Sequence, residues 1–405
     1  MSSRKKMSDG SGNFHHSIIE SQRNEVFGPK WAVDVFLFCK KNNFFHQNKR
    51  NYFYINKSYG NRYCKIDYFI FCVSRYNVLF LSIRFNTDNT MKKILYLIAS
   101  AALLLTACGK EKQEVRLLYW NIQNGMWHDQ DNNYDNFVQF VKEQDPDICV
   151  WCEAESRYRS YTATKMAGCE EAYLPYNWDL LARRYGHNYM VLAGKRDTFP
   201  QVVTSKYPLK TVKRINGNGD DIIVVHGAGQ VEVEIGDKTL NLVTLHTWPQ
   251  KYAYLAEDQE ASKAEQGGDV FRSVEMKYIC EETILQDKDA AKNNWIMLGD
   301  FNAISSIDNF HYGIAEDDKQ FLVHNYVRNN TPYIDVIEKF YPGDFQPSTQ
   351  SGRRIDMVYM TEPLFKTVKA ARIIRDGYAE SHRDTTFRNF CHPSDHYPVV
   401  VDMEF

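Results

Sequence analysis

The stretch Trp-Ile-Met-Leu-Gly-Asp-Phe-Asn at residues 295–302 is a short apolar run that ends in a carboxylate and a carboxamide. A bounded apolar run of this length is typical of a buried strand. Side chains two residues apart on extended backbone point to the same side, so we expect Asp300 and Asn302 to face one spot. Gly, Asp and Asn also favour turns, and a turn without a chemical role is the alternative for this stretch.

Polar residues also stand at the ends of five other predicted strands. They are Asn121 after 115–120, Glu153 after 148–152, His246 after 240–245, Asp356 at the start of 355–360, and Asp395 and His396 just before 397–405. Exits of some strands and entries of others share one edge in a mixed or antiparallel sheet. We therefore expect these residues to line a single cleft.

The hydrophobic pattern predicts an α/β protein with many strands and few helices. Further strands are predicted at 188–193, 202–205, 222–225 and 230–235, and helices at 134–143, 178–185, 271–285 and 333–340. In the 271–285 helix, Val274, Tyr278, Ile279 and Ile284 are available for a core-facing side. Few helices among many strands argue against a simple alternating parallel sheet. Two mixed or antiparallel sheets packed face to face, with helices outside, fit residues 115–405 better.

Charge divides the 405-residue chain near residue 90. Residues 1–90 contain 14 Lys and Arg against 6 Asp and Glu, whereas the remainder contains 35 against 45. The near-neutral net charge of −2 therefore conceals a basic N-terminal part and an acidic remainder. The shift in charge predicts a boundary at about residue 90.

A secretory signal begins at this boundary. Met91-Lys92-Lys93 is a short basic start, and the apolar run that follows to residue 107 is too short to span a bilayer. Residues 105–108, Leu-Thr-Ala-Cys, resemble a bacterial lipobox, and this resemblance implies lipidation of Cys108. We expect residues 91–107 to be a signal peptide and 108–114 a tether. The protein would then be a membrane-anchored lipoprotein of the outer membrane or periplasm; the alternative is a short buried helix with a chance cysteine.

Residues 1–90 lie upstream of a segment that belongs at an N-terminus. They are rich in Phe, Tyr, Asn, Lys and Ile and show no clear helical or strand period. We interpret them as the product of a mis-set translation start, disordered or absent from the mature protein. A basic, aromatic arm that binds nucleic acid is the alternative.

The cysteines beyond residue 108 favour no redox or zinc chemistry. Five remain there, an odd number that cannot pair completely. Cys149 and Cys152 form a C-x-x-C pattern within a predicted strand. Residues three apart on a strand point to opposite faces, so we expect core cysteines.

Several of these stretches together resemble the endonuclease/exonuclease/phosphatase superfamily. The matching motifs, in family order, are WNIQNG at 120–125, PDICVWCE at 146–153, TSKYPL at 204–209, TLH at 244–246, GDFN at 299–302, RID at 354–356 and SDHYPV at 394–399. The second motif has Cys152 where the family has Gln, and Glu155 competes with Glu153 for the carboxylate role. The resemblance covers roughly 115–405 and implies a four-layered α/β sandwich.

The resemblance also implies residue roles in phosphate-ester hydrolysis. Glu153, with Asn121 and Asp395, would hold Mg²⁺, or alternatively Mn²⁺, since these cations take oxygen ligands. Asp300 would position or deprotonate the attacking water, and Asn302 would fix its geometry. A protonated His396, oriented by Asp356, and His246 would stabilise charge on the phosphoryl oxygens.

The expected function is divalent-metal-dependent hydrolysis of a phosphate ester by a monomeric, lipid-anchored enzyme. A nuclease is the first alternative, although a net charge of −10 beyond residue 90 disfavours a nucleic-acid groove. A non-catalytic binding lipoprotein is the second, but binding alone does not need Glu153, Asp300, Asp356 and His396 together. Residues 247–270 form a long insert after His246, either a lid or specificity loop or a solvated surface insertion.

Overall fold

The computed structural model describes residues 112–155, 177–195, 199–386 and 390–405, together with the backbone of three strands nearer the N-terminus. The predicted signal peptide at 91–107, the lipidation residue Cys108, most of the tether and Cys169 lie outside the described residues. The chain divides into two units, Met1–Lys110 and Glu111–Phe405.

The first unit contains a small antiparallel sheet. Its strands are β1 (Ile55–Gly60), β2 (Tyr63–Val73) and β3 (Val78–Ile83), with β2 in the middle. The sequence pattern did not predict these strands. The absence of residues 1–90 from the mature protein stays a prediction.

The second unit is built on two six-stranded mixed sheets. The first sheet has the order β14-β17-β4-β5-β7-β6. Its strands are β4 (Glu114–Asn121), β5 (Ile148–Cys152), β6 (Tyr189–Leu192), β7 (Val202–Ser205), β14 (Val368–Ile373) and β17 (Val399–Glu404). Here β4 runs parallel to β5 and antiparallel to β17, so the end of β4, the end of β5 and the start of β17 meet at one edge.

The second sheet has the order β12-β13-β11-β10-β9-β8. Its strands are β8 (Leu209–Gly217), β9 (Ile223–Ile235), β10 (Lys238–His246), β11 (Trp295–Asp300), β12 (Tyr333–Asp335) and β13 (Asp356–Thr361). In this sheet β10 runs parallel to β11, which runs antiparallel to β13. A two-stranded ribbon, β15 (His382–Arg383) with β16 (Cys391–His392), lies apart from both sheets.

Short helices connect and cover the sheets. They are α1 (Gln123–Met126), α2 (Asp135–Gln144), α3 (Trp178–Arg184), α4 (Gln259–Ala264), α5 (Gly267–Glu282), α6 (Asn309–Tyr312), α7 (Leu322–Asn330), α8 (Val336–Phe340) and α9 (Glu362–Phe365), with 3₁₀ turns between several of them. Among the described residues, no helix has the length and apolar character needed to cross a bilayer.

Three apolar layers hold these elements together. Side chains of both sheets, such as Leu117, Val150, Leu242 and Leu298, share the core between them. The outer face of the first sheet packs against α2 and α3, and the outer face of the second packs against α5 and α7. The predicted four-layered α/β sandwich is therefore confirmed.

The two strand cysteines point as their spacing predicted. Cys152 lies in the core between the sheets, whereas Cys149 lies in the layer under α2 and α3. Both thiols are buried and free. Burial raises the pKa of each thiol well above its usual value, which makes both unreactive.

Three local predictions were wrong. The strands predicted at 222–225 and 230–235 are one continuous strand, β9, because Ala228 and Gly229 between them are paired with both neighbours. Val274 was expected in the core but is 43% exposed, and α5 instead buries Met276, Ile279 and Cys280. The helix predicted at 333–340 begins only at Val336, after β12.

Candidate active site

Strand register places three of the predicted residues side by side. His246 on β10 is the register partner of Asp300 on β11, and Asp300 is the register partner of Asp356 on β13. All three side chains are buried, with Asp356 completely so. The ends of three neighbouring strands therefore form one polar row at the edge of the second sheet.

The first sheet contributes the facing polar residues. Asn121 ends β4, Glu153 follows β5, and Asp395 and His396 precede β17. Ser394 ties two of these ends together, because its hydroxyl donates to the Asn121 carbonyl oxygen at 2.7 Å. The structure thus brings all the predicted strand-end residues to one edge of the sandwich.

Asp356 and His396 join the two sheets. His396 Nδ1 lies 2.8 Å from Asp356 Oδ2, an oxygen that also accepts the Ser348 hydroxyl at 2.7 Å. The other carboxylate oxygen accepts the Tyr119 hydroxyl at 2.8 Å. With both oxygens engaged, Asp356 has one orientation and holds the imidazole in one orientation.

His396 carries a positive charge in this setting. Burial disfavours that charge, but the carboxylates of Asp356, Asp395 and Asp300 outweigh it and raise the pKa of His396 well above its usual value. Its Nε2 is the ring nitrogen left for substrate, 3.7 Å from Asp300 Oδ2 and 3.9 Å from Asp395 Oδ1. A protonated ring at this position can donate a proton or stabilise an anionic oxygen.

Asp300 lies at the centre of the group. Its Oδ2 accepts the Asn121 amide Nδ2 at 3.0 Å, and the Nε2 atoms of His246 and His396 each lie 3.7 Å from the same oxygen. Burial, with a smaller contribution from Asp356, raises the pKa of Asp300 to about 7, although His396 opposes the shift. A carboxylate with a pKa in this range is suited to exchange a proton at neutral pH.

His246 differs in charge from His396. Burial lowers its pKa well below the usual value, and the nearby His226 and His396 lower it further. The ring is therefore neutral near pH 7. It can donate a hydrogen bond to a phosphate oxygen but carries no charge.

Glu153 is anchored by the residues around Asn121. Its Oε2 accepts the Asn124 backbone N–H at 2.9 Å, and its Oε1 lies 3.3 Å from Asn121 Nδ2. Burial and the Asp395 carboxylate raise the pKa of Glu153. These contacts fix the orientation of the Glu153 carboxylate.

Asn302 does not share a face with Asp300 in the way the strand pattern predicted. The strand ends at Asp300, and Asn302 has a φ of +48°, which is left-handed backbone. Its N–H donates to Asp300 Oδ1 at 2.9 Å, and its Nδ2 donates to the Thr247 carbonyl oxygen at 3.1 Å. Asn302 therefore lies in a turn, and this turn fixes the Asp300 carboxylate. The catalytic roles of both residues stay predictions.

The donor set fits a hard divalent cation. Carboxylate oxygens of Glu153 and Asp395 lie at the cleft, and Asp395 is 44% exposed. Polar atoms of Asp300, Asp356 and His396 also lie within 4.8 Å of one another, but Asp356 and His396 are engaged with each other as arranged. The Cys152 thiol points away into the core. Asn121 accepts the Gln123 N–H through Oδ1 at 3.1 Å and turns its Nδ2 toward the carboxylates, so as arranged it orients them rather than offering an oxygen.

Several supporting residues were missed by sequence reasoning. Tyr119 and Ser348 hold Asp356, and Asn124 holds Glu153. Tyr119 lies two residues before Asn121 on β4, and alternate residues of a strand share a face. This spacing could have predicted that Tyr119 faces the same site. Ser348 lies in a loop, and only the tertiary fold brings it to Asp356, so no sequence pattern indicates this contact.

The chain matches the model of the endonuclease/exonuclease/phosphatase family over residues 118–396. It belongs to this family. Members are hydrolytic enzymes that cleave phosphate esters, generally with a divalent metal. The matched region contains every strand-end residue described above.

The comparison with solved structures finds similarities to this family member at low sequence identity. An AP endonuclease from Archaeoglobus fulgidus is 15% identical, with a TM-score of 0.46 over 71% of this chain and 98% of that one. A 3′-5′ exonuclease from Neisseria meningitidis is 15% identical, with a TM-score of 0.45 over 72% and 100%. A family protein from Bacteroides thetaiotaomicron is 14% identical, with a TM-score of 0.45 over 73% and 99%. No curated protein matches the chain in sequence.

Proposed function

We propose that this enzyme hydrolyses a phosphate ester with Mg²⁺, or alternatively Mn²⁺, outside the cytoplasm, attached to a membrane by a lipid on Cys108. The observation that carries the catalytic part is the position of Asp300 Oδ2, which lies between Asn121, His246 and His396. One carboxylate oxygen thus meets an amide donor, a neutral imidazole and a charged imidazole.

The hydrolysis requires two proton transfers, one to Asp300 and one from His396. The oxygen of the attacking water bonds to phosphorus, and Asp300 accepts a proton from this water. The bond from phosphorus to the ester oxygen breaks, and His396 Nε2 gives its proton to the leaving oxygen. His246 donates a hydrogen bond to a phosphoryl oxygen. Glu153 and Asp395 would hold the cation, which would supply charge neutralisation of the phosphate.

A substrate screen tests this function. Purified protein is assayed with and without Mg²⁺ on plasmid DNA, RNA, inositol phosphates, sphingomyelin and simple phosphodiesters. We expect metal-dependent hydrolysis that EDTA abolishes. Asp300→Asn should lose on the order of 10²–10⁴ in kcat while unfolding at the wild-type temperature. Full activity of a folded Asp300→Asn variant would contradict the role of Asp300.

The lipid anchor has its own test. Support comes from the order of basic, apolar and small residues that ends at Cys108. Mass spectrometry of the protein from its native host should find an N-terminal, lipid-modified Cys108. Cys108→Ala should move the enzyme out of the membrane fraction with its activity intact. Recovery of residues 1–90 in the mature protein would contradict the start-site interpretation.

A further inference from the structure

A row of rings leads from the catalytic centre to the insert at 247–270. The His226 ring on β9 stacks on His246, with centroids 4.7 Å apart and planes 27° apart. Trp248 lies next along the row, 6.3 Å from His226 at 29°, and Tyr254 meets Trp248 edge-on at 5.0 Å. Phe199 meets His226 edge-on at 4.9 Å. We call Phe199, His226, Trp248 and Tyr254 the ring row.

The ring row begins in the interior and ends near solvent. His246 and His226 are 2% and 5% exposed, whereas Trp248 and Tyr254 are half-buried. The neighbouring Leu255 is 72% exposed. A phosphate bound at Asp300 and His396 would lie next to His246, and an organic group that extended from it along the ring row would reach Trp248.

Two buried side chains of α5 fix the middle of the row. Glu275 accepts the Trp248 N–H at 2.8 Å through one oxygen and the Val225 N–H at 2.8 Å through the other. Arg272 donates to the Trp248 carbonyl oxygen at 2.9 Å. Both the N–H and the carbonyl oxygen of Trp248 are therefore held by hydrogen bonds. The Glu275 side chain also holds the N–H of Val225, which precedes His226. A preorganised aromatic surface loses little freedom when a ligand binds.

The charges around the ring row disfavour a long polyanion. The insert exposes four acidic residues, Glu257, Asp258, Glu260 and Glu265. Two cations close to the rings are engaged: Arg272 pairs with Asp269, and Lys263 pairs with Glu260 beside the Tyr252 ring. The insert also exposes Lys251, but its exposed acidic residues outnumber its lysines. A nucleic-acid strand continuing past the rings would meet acidic side chains, whereas a small ester would end before them.

We propose that the ring row binds a planar ring in the organic group of the substrate, which makes the substrate a small, ring-bearing phosphate ester. This inference rests on the proposed phosphoesterase function. Aromatic side chains bind planar rings by stacking and tolerate different ring chemistries. Trp248 is the specificity-determining residue, because it is the half-buried ring whose peptide α5 holds at both ends.

A matched pair of substrates tests the proposal. Methyl 2-phenylethyl phosphate and methyl 2-cyclohexylethyl phosphate have similar leaving groups and differ in whether the ring is planar. We expect the wild type to have a KM about ten-fold lower for the phenyl ester, since one stacked ring is worth about that factor or more. Trp248→Ala should remove this preference with little change in kcat, and Trp248→Phe should keep most of it.

Controls separate ring binding from stability and from the chemistry. Leu255→Ala, in the same insert, should leave both KM values unchanged, and all variants should unfold at similar temperatures. An unchanged preference in folded Trp248→Ala would overturn the proposal. If the wild type hydrolyses no ester, calorimetry with the two esters decides the point: tighter binding of the phenyl ester that Trp248→Ala abolishes supports the ring row, and equal binding overturns it.

Discussion

Asp356 Oδ2 lies 2.8 Å from Nδ1 of His396, a contact that joins β13 of the second sheet to the segment that leads into β17 of the first. Asp356 is fully buried, and its remaining acceptor capacity is taken by Tyr119 and Ser348. The pair therefore sets both the direction and the charge of the imidazole. The first prediction follows from this contact.

Asp356→Asn should lower kcat by about 10²–10³-fold, because an amide neither keeps His396 charged nor fixes its ring as firmly. KM should change little, since Asp356 lies behind the ring rather than toward the cleft. Steady-state kinetics beside circular dichroism measure both effects. A kcat within a few-fold of wild type in the folded variant would remove Asp356 from the mechanism.

Asn121 separates two carboxylates, because its Nδ2 lies 3.0 Å from Asp300 Oδ2 and 3.3 Å from Glu153 Oε1. Asn121→Asp would place a third negative charge between them and should destabilise the metal-free protein by about 1–3 kcal/mol. Asn121→Ala, which adds no charge, is the matched control. Thermal unfolding in EDTA should rank Asn121→Asp lowest, and added Mg²⁺ should narrow the difference. Equal unfolding temperatures in EDTA would be inconsistent with carboxylate repulsion.

Glu275 should make stability depend on pH. Burial raises the pKa of Glu275 from 4.5 to about 8. The two backbone N–H groups that donate hydrogen bonds to its carboxyl oppose this shift. Because the folded-state pKa is the higher one, the stability is fully present below pH 4.5 and is lost as the pH rises to about 8. The change is roughly 3–5 kcal/mol by linkage.

Urea unfolding at pH 5 and pH 8.5 measures this contribution. Glu275→Gln should lose less stability than the wild type over the interval, because the amide does not ionise. Glu281→Gln on the same helix, where the side chain is 44% exposed, should behave like the wild type. A Glu275→Gln variant with the wild-type pH dependence would show that Glu275 is ionised throughout.

Gly299 is required by the close approach of β10 and β11. A Cβ atom at this position would lie 2.1 Å from the Leu245 carbonyl oxygen. Gly299→Ala should therefore destabilise the protein by about 2 kcal/mol or more and lower the yield of folded enzyme. Gly313→Ala is the control, because it has open space around it and a φ of +64°, so only the left-handed backbone costs about 1 kcal/mol. Equal losses in the two variants, measured by urea unfolding, would contradict the steric argument.

The sequence predicted the part of this molecule that follows from local pattern. Apolar runs such as 295–298 marked the buried strands, and polar residues at their ends marked the cleft. The edge strand β8 was missed because Lys210, Lys213 and Arg214 interrupt its apolar residues and leave neither an apolar run nor a regular alternation. The orientation of Asn302 was missed because its left-handed backbone follows from the turn rather than from strand alternation.

Long-range partners account for most of what could not be predicted. Ser348 reaches Asp356 from a loop, and Glu275 reaches the Trp248 peptide from a helix beyond the insert. Neither contact leaves a periodic trace in the sequence, since each depends on how the layers pack. The core-facing side of α5 was misjudged for the same reason: Val274 fits the helical pattern, but the sheet lies under Met276 and Ile279.

The hydrogen bonds from Asn121 to Asp300 and from Tyr119 to Asp356 cross from one sheet to the other. The proposed catalytic groups are therefore also polar links between the two sheets, next to the apolar core that the sheets share. A breathing motion that slid one sheet past the other by a single residue would misalign the acid and the base together. On mild heating, activity should therefore be lost at a lower temperature than that of unfolding, because these hydrogen bonds between the sheets weaken first.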